Sequence, residues 1–277
     1  YTYAFSASLA KSFDFGLDMS ASYTFGRSKS VNDGTSSVAY SNWKYNYSRD
    51  TNSENELGFS KFDVPHRLMA QLSYTTPKYL NGWTSTTISV IYNGFSGSRY
   101  SLTMNEVSDF NGDGQKGNSL LYIPTEAELD NMNFVDYTDK KTGKLIMSAA
   151  DSRKAFTEWV NNDDYAKDHR GQYAVRNSNL SNWEHEIDLH LAQTIYNAQG
   201  LGKLEFTFDI INFANMLNKK WGASYSSAYN LSPLTVVSLS TDENGNRNPG
   251  YAFNNAKINK SDISSRWHAQ VGIRLTF

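Results

Sequence analysis

Leu17-Asp18-Met19-Ser20-Ala21-Ser22-Tyr23-Thr24-Phe25 alternates without a break, with Leu, Met, Ala, Tyr and Phe on one side and Asp, Ser, Ser and Thr on the other. Successive side chains of an extended chain point to opposite faces, so this stretch reads as a strand with one apolar and one polar face. Immediately upstream, Tyr1, Tyr3, Phe5, Ala7 and Leu9 alternate with Thr2, Ala4, Ser6, Ser8 and Ala10. The short Lys11-Ser12-Phe13-Asp14 link makes the pair an expected hairpin.

The same period recurs downstream. Leu68, Ala70, Leu72 and Tyr74 oppose Arg67, Gln71 and Ser73, and Ile88, Val90 and Tyr92 oppose Thr87, Ser89 and Asn93, with Met69 and Ile91 out of pattern. Trp183, His185, Ile187, Leu189 and Leu191 oppose Glu184, Glu186, Asp188 and His190, and Leu204, Phe206, Phe208 and Ile210 oppose Glu205, Thr207 and Asp209. Last, Trp267, Ala269, Val271, Ile273, Leu275 and Phe277 oppose His268, Gln270, Gly272, Arg274 and Thr276. Seven strands are expected, each with about nine to eleven residues of alternation, the length that crosses a hydrocarbon layer at a tilt. Strands of soluble sandwiches run to about five or six.

Loop lengths sort the same way. Residues 11–16, 76–83 and 197–202 read as tight turns, whereas roughly 29–64, 96–180 and 217–264 are long. Short periplasmic turns and long extracellular loops are the outer-membrane arrangement. The five prolines, Pro65, Pro77, Pro124, Pro233 and Pro249, fall at strand ends or in connections, which keeps every N–H inside lipid able to pair. Aromatics fall at two levels, Tyr23, Phe25, Tyr92, Phe95, Trp183 and Trp267 at the long-loop ends and Phe13, Phe15, Tyr79, Trp83, Tyr196 and Phe277 at the short-turn ends. Two interfacial girdles are implied. The expected fold is therefore all-β: a transmembrane, antiparallel, up-and-down β-barrel segment with long extracellular loops, in the bacterial outer membrane.

Composition agrees once its average is set aside. Mean hydropathy is -0.58, yet a lipid-spanning barrel needs apolar residues only at every second position. Tyr and Phe number 18 and 15, and there is no Cys, so disulfides, thiolate metal sites and cysteine nucleophiles are excluded. A net charge of -2 without a basic stripe gives no footprint for nucleic acid. No apolar run of about 18 residues exists to form a transmembrane helix. Seven strands put Tyr1 on the long-loop side and Phe277 on the short-turn side. Because bacterial barrels have even strand counts, upstream strands are expected in addition to residues 1–277, which then form the C-terminal part of one barrel domain.

Several stretches together resemble one family: Phe62-Asp63-Val64-Pro65-His66-Arg67, Asn111-Gly112-Asp113-Gly114 followed by Leu120-Leu121-Tyr122-Ile123-Pro124, and His169-Arg170-Gly171. With Trp183 to Leu189, Asn212 to Asn218, Trp221-Gly222 and the terminal Gly272-Ile273-Arg274-Leu275-Thr276-Phe277, they resemble the C-terminal barrel of Oar-like TonB-dependent receptors. The resemblance implies a barrel of about 22 strands, a plug, a TonB box and an N-terminal regulatory-like domain. It also implies energised transport of a solute, with TonB as partner through the plug. The related SusC-like branch implies a surface lipoprotein partner.

Within this frame the polar side chains acquire roles. Glu184, Glu186, Asp188, Glu205 and Asp209, with Arg67 and Arg274, are expected on the lumenal face, holding the plug by salt bridges or lining a substrate path. Two carboxylates can in principle cleave a glycosidic bond, but lumenal strand acids are a poor case, and no enzyme is expected. The five histidines have no metal-ligand spacing. His185 falls on the lipid-facing register, at the interface beside Trp183. Asp109, Asn111, Asp113 and Gln115 place oxygens at positions one, three, five and seven of a calcium-type loop, but position twelve is Leu120 and the closing Glu is absent. Calcium bound weakly, with help from Glu106 or Glu126, stands against a loop held by its own Asx turns. Asp242-Glu243-Asn244-Gly245-Asn246 reads as a turn. Residues 151–168 read as a helix with Ala155, Phe156, Trp159 and Val160 on one face, packing the loop onto itself or meeting a partner. Ile273, Leu275 and the terminal Phe277 resemble the signal read by the barrel-assembly machinery. Two functions follow: gated transport, or a scaffold that displays the 96–180 loop to a protein partner.

Overall fold

The computed structural model describes residues 1–51, 55–196, 202–225 and 229–277. The expected 197–202 turn lies almost wholly outside them. The main strands are β1 (Thr2–Ser12), β2 (Leu17–Ser30), β3 (His66–Thr75), β4 (Thr84–Phe95), β5 (Arg99–Asn105), β6 (Asn179–Leu180), β7 (Glu184–Ile195), β8 (Lys203–Ile211), β9 (Asn230–Thr241), β10 (Arg247–Phe253) and β11 (His268–Thr276).

All seven expected strands form, in one antiparallel wall of order β1-β2-β3-β4-β7-β8-β11. The pleat keeps one parity outward across the whole wall. Leu9 faces Ala21, Met19 faces Leu72, Leu72 faces Val90, Val90 faces Leu189, Leu189 faces Ile210, and Phe208 faces Val271. A slip of one residue at any seam would move one strand's apolar set to the other side, so this continuity fixes the register. The apolar band is uncovered: Leu9 is 82% exposed, Val271 76% and Ile273 69%. Exposed hydrophobic area on that scale requires an apolar surround, which acyl chains supply. Two tight ends close the hairpins. Gly16, at φ +94, lets the chain turn where a Cβ would lie 2.2 Å from the Thr75 carbonyl oxygen. Strand β2 is longer than expected, 14 residues, because its upper end runs past the wall to pair Lys29 and Ser30 with the short strand Gly58–Phe59.

The buried core sits elsewhere. Leu102, Leu121, Ile123, Phe156, Val160 and Leu234 are all nearly or fully buried, and they belong to the long loops. These loops build a four-stranded sheet of order β6-β5-β9-β10. Its β5 follows β4 after three residues, and its β6 precedes β7 by three, so the central hairpin of the wall continues upward into this layer. Strand β9 runs parallel to β5, and its register shifts between Leu231 and Leu234, where Pro233 removes a donor. Pro249 lies in β10, an edge strand, where a missing N–H is tolerated.

The expected 151–168 helix is Ala149–Asn162, started by the Ser148 hydroxyl accepting from Asp151 N. Ser152, Phe156 and Val160, spaced four apart, form its buried face. It stops because the Asp163 carboxylate takes the N–H groups of Tyr165 and Ala166 for a following 3-10 turn, Ala166–Asp168. The stripe thus packs the loop layer onto itself.

Candidate functional site: the polar face and the loop layer above it

The side of the wall opposite the apolar band carries Asp18, Ser20, Ser22, Arg67, Gln71, Ser89, Asn93, Glu184, Glu186, Asp188, His190, Glu205, Asp209, Gln270 and Arg274 in continuous register. All seven residues expected on the lumenal face share it, and so do the two out-of-pattern residues Met69 and Ile91. The acids divide into two groups. Glu205 is held between Lys203 at 3.1 Å and Arg274 at 3.8 Å, and Asp209 lies 2.5 Å from His190 Nδ1 with Gln270 Nε2 donating at 3.3 Å. On β7, Glu184 accepts from Tyr225 N at 3.1 Å and Asp188 accepts from Asn212 N at 2.8 Å. Glu184, Glu186 and Asp188 form no ion pair with Lys or Arg among the described residues. Arg67 instead donates to Asn93 Oδ1 at 3.3 Å. The column on β7 is therefore an anionic strip facing the interior.

A buried ion cluster joins wall to loop layer. Asp63 Oδ2 accepts from Arg99 Nε at 2.8 Å and Nη2 at 2.7 Å, its Oδ1 accepts from Ser28 N at 2.6 Å, and Arg27 Nη1 stands 3.7 Å away. The Asp63 and Arg99 side chains are 1% and 4% exposed. Arg99 also donates to the Ser178 carbonyl at 2.8 Å and lies 4.0 Å from the Phe59 ring centroid. Burial lowers the Arg99 pKa, and the Asp63 contact opposes that shift. Alternation and spacing give neither Asp63 nor Arg99 a role. The one signal available was Asp63's place in the Phe62 to Arg67 motif.

Above the wall two cavities meet at Tyr47 and Arg176. One, about 510 Å³, is lined by Tyr47, Arg49, Tyr122, Tyr173 and Arg176. The other, about 530 Å³, includes Asn32, Asp33, Lys61 and Tyr229. Burial pushes the Tyr47 phenol up to about 12, so it stays a neutral donor. Tyrosine rings beside guanidinium and carboxamide groups suit a polar solute.

In the 109–115 loop, Asp109 takes the N–H groups of Gly112 (2.7 Å) and Gly114 (2.8 Å), Asn111 Oδ1 takes Asp113 N (3.2 Å), and Asp113 Oδ1 takes Gln115 N (2.7 Å). These are the Asx turns of the plainer expectation. Among the described residues no group of three His, Cys, Asp or Glu side chains could hold a metal ion. Asp109, Asn111 and Asp113 each have a side-chain oxygen that could reach an ion engaged by a backbone N–H of the loop. Glu106 does face the loop: Oε2 accepts from Gly117 N at 3.1 Å, and Oε1 is buried without a partner. Burial raises the Glu106 pKa, and Asp109 and Asp113 add to the rise. Glu126 instead starts the helix Glu126–Asn131. The 242–246 segment is a turn, with Asp242 accepting from Asn244 N and Asn246 N.

On the outward face the upper girdle is richer than expected. Tyr23 Oη and His66 Nδ1 are 2.7 Å apart, Tyr92 Oη and His185 Nδ1 are 2.8 Å apart, and Trp183 stacks near both histidines at 6.0 and 6.1 Å. His185 faces outward as its register required. Gly94 makes room: a Cβ there would lie 2.3 Å from Tyr92 Oη. Two assignments are corrected. Phe95 lies on the polar face, paired with Glu184 and Arg67, because it shares parity with Asn93. Tyr196 turns to the polar-face Ser85, 3.0 Å away, because it shares parity with Asp188 and His190. Ile273, Leu275 and Phe277 lie at the outward, lower end of β11, and Phe277 is fully exposed.

With this geometry in hand, a family description, outer membrane beta barrel domain, matches residues 2–248. The chain belongs to that family. As an outer membrane beta barrel domain, it lies in the bacterial outer membrane with its apolar band toward lipid and its polar face inward. No curated protein and no solved structure matches the chain.

Proposed function

We propose that this outer membrane beta barrel domain is the C-terminal part of an Oar-like TonB-dependent receptor, moving a polar solute through a gated pore rather than acting as an enzyme. The observation that carries this reading is the strip Glu184, Glu186 and Asp188 on the interior face, which has no Lys or Arg ion-pair partner among the described residues. Like charges in one column are unfavourable unless a cationic partner or water meets them, and a plug docked in the lumen supplies such a partner. The long loops are taken as extracellular, their cored layer covering the mouth and the Tyr47 cavities receiving solute. The remaining strands, the plug and the TonB box belong to the upstream part of the receptor. A weak calcium ion in the 109–115 loop fits the same reading, supported by its alternate oxygens and by the unpartnered Glu106 Oε1.

The test is uptake by cells expressing the full-length receptor, with and without TonB. Energised uptake that disappears without TonB supports the reading; growth and uptake indifferent to TonB reject it. The second reading, a scaffold presenting the 96–180 loop, is favoured by that loop's own hydrophobic core. A surface lipoprotein recovered with the receptor, and lost on deleting residues 126–168, would support the SusC-like version.

A further inference from the structure

The wall has a notch. Strand β7 rises to Glu184, but its neighbour β8 stops at Ile211, opposite His268 of β11, so Glu184 to Asp188 have no strand partner on that side. Asn212 ends β8 in the left-handed region at φ 55, and its Nδ2 donates to the carbonyls of Gly222 (2.8 Å) and Ser265 (3.0 Å). This pins the short helix Phe213–Leu217 and the following turn into the gap.

The outward side of the filled notch is concave. One cavity of about 350 Å³ is lined by Trp183, His185, Ile187, Ala214, Lys220 and Trp221. An open groove of about 690 Å³ beside it is lined by Met216, Leu217, Lys219, Arg266 and Trp267. Trp183, His185 and Ile187 share parity with the lipid-facing Leu189 and Val90, so the cavity opens on the apolar band at girdle level. Trp221 and Leu217 are exposed although nothing polar engages their side chains.

Charge marks the rim. Lys219, Lys220, Lys260 and Arg266 gather there, and the carboxylate among them, Asp262, is 2.6 Å from Arg266. Lys260 Nζ donates to the Lys219 carbonyl. Lys219 and Lys220 are exposed and in no ion pair among the described residues. Plain snorkelling would explain two lysines at an interface, but not cations set around a Trp-walled cavity that is continuous with the acyl-facing band. On the interior face of the same strand the charge is negative, so an anion is accepted on the outside and repelled within.

We infer that this notch binds the phosphorylated sugar headgroup of the outer-leaflet glycolipid, lipid A. Lys219, Lys220 and Arg266 meet the phosphate, Trp183 and Trp221 flank the sugar, and an acyl chain descends past Ile187. The choice of leaflet rests on the extracellular placement of the long loops proposed above.

The experiment measures binding of bis-phosphorylated lipid A to the full-length protein in mild detergent by native mass spectrometry. One juxtamembrane cation contributes about 1 kcal/mol, or roughly fivefold. Lys219→Gln should weaken binding by about fivefold, and Lys219→Gln with Lys220→Gln by about 25-fold. Lys140→Gln with Lys141→Gln, on a distant hairpin, should leave it unchanged. Undiminished binding by the Lys219/Lys220 variant, or equal binding of dephosphorylated lipid A, would overturn the site. Phosphatidylglycerol binding as tightly as lipid A would overturn the glycolipid assignment. Orientation is read separately: residues 1–277 have no Cys, so Ile146→Cys, made in a full-length protein whose upstream part carries no Cys, gives a single label in the loop layer. Labelling from outside intact cells together with unaltered lipid A binding in the variant sinks the notch alone. Labelling only after permeabilisation sinks the orientation and the leaflet with it.

Discussion

Replacing Asp63 should uncouple the loop layer from the wall. Its carboxylate is 1% exposed and accepts from Arg99 twice and from Ser28 N once, with Arg27 3.7 Å away. Asp63→Ala orphans the Ser28 N–H, at about 1–3 kcal/mol, and leaves the Arg99 guanidinium buried without its counter-ion. Removing one partner of a buried pair costs about 3–5 kcal/mol in all. Because Arg99 is also bonded to the Ser178 carbonyl, the loss falls on the contact between β5, β6 and the top of β2. Hydrogen exchange in residues 99–105 and 177–180 should therefore quicken by roughly 10² to 10³ or more, while the β1 to β4 seams stay protected. Arg99→Met alone should cost as much, and the two together clearly less than their sum, since both charges are then gone. Additive effects, with a coupling energy under about 0.5 kcal/mol, would refute this account.

Glu106→Gln should stabilise the loop layer at pH 7.5 and much less at pH 4. A carboxyl whose pKa is raised on folding favours the folded state at low pH and loses that contribution as pH rises through the folded value; thermal unfolding in chelator at the two pH values reads the difference, and a melting point at pH 7.5 at or below the parent's would count against it. Calcium titration by calorimetry should show weak binding, about 10⁻⁴ to 10⁻³ M, abolished by Asp109→Ala; absence of heat removes the ion. Gly94→Ala should force Tyr92 off His185 and cost about 1–3 kcal/mol, visible as a lower unfolding temperature of the inserted barrel. Deleting Phe277 should reduce the heat-modifiable, folded fraction in outer membranes without changing synthesis, and normal insertion would deny it an assembly role.

What could be read in advance follows from period two. The seven wall strands and the faces of Arg67, Glu184, Glu186, Asp188, Glu205, Asp209 and Arg274 are local properties of alternation, and the seams preserve them. Contacts between distant segments could not be read. The β5 stretch Arg99–Asn105 is buried at six of its seven positions, which erases alternation, and its parallel partner β9 lies more than a hundred residues on. His66 shares the outward parity of Leu68 and Ala70, but only the pairing of β3 with β2 shows that it meets Tyr23. Asp63 stood in a noticed motif, yet its counter-ion lies 36 residues away across two strands.

The oily centre of this molecule is assembled from pieces on two different hairpin tops: Leu102, Leu121, Ile123, Phe156 and Ala174 between β4 and β7, and Leu231 and Leu234 between β8 and β11. The two contributions meet only where the staves beneath them stand side by side. Closing that centre therefore requires the β4–β7 and β8–β11 ends to stand side by side, so a change that parts the wall there also opens the core above it.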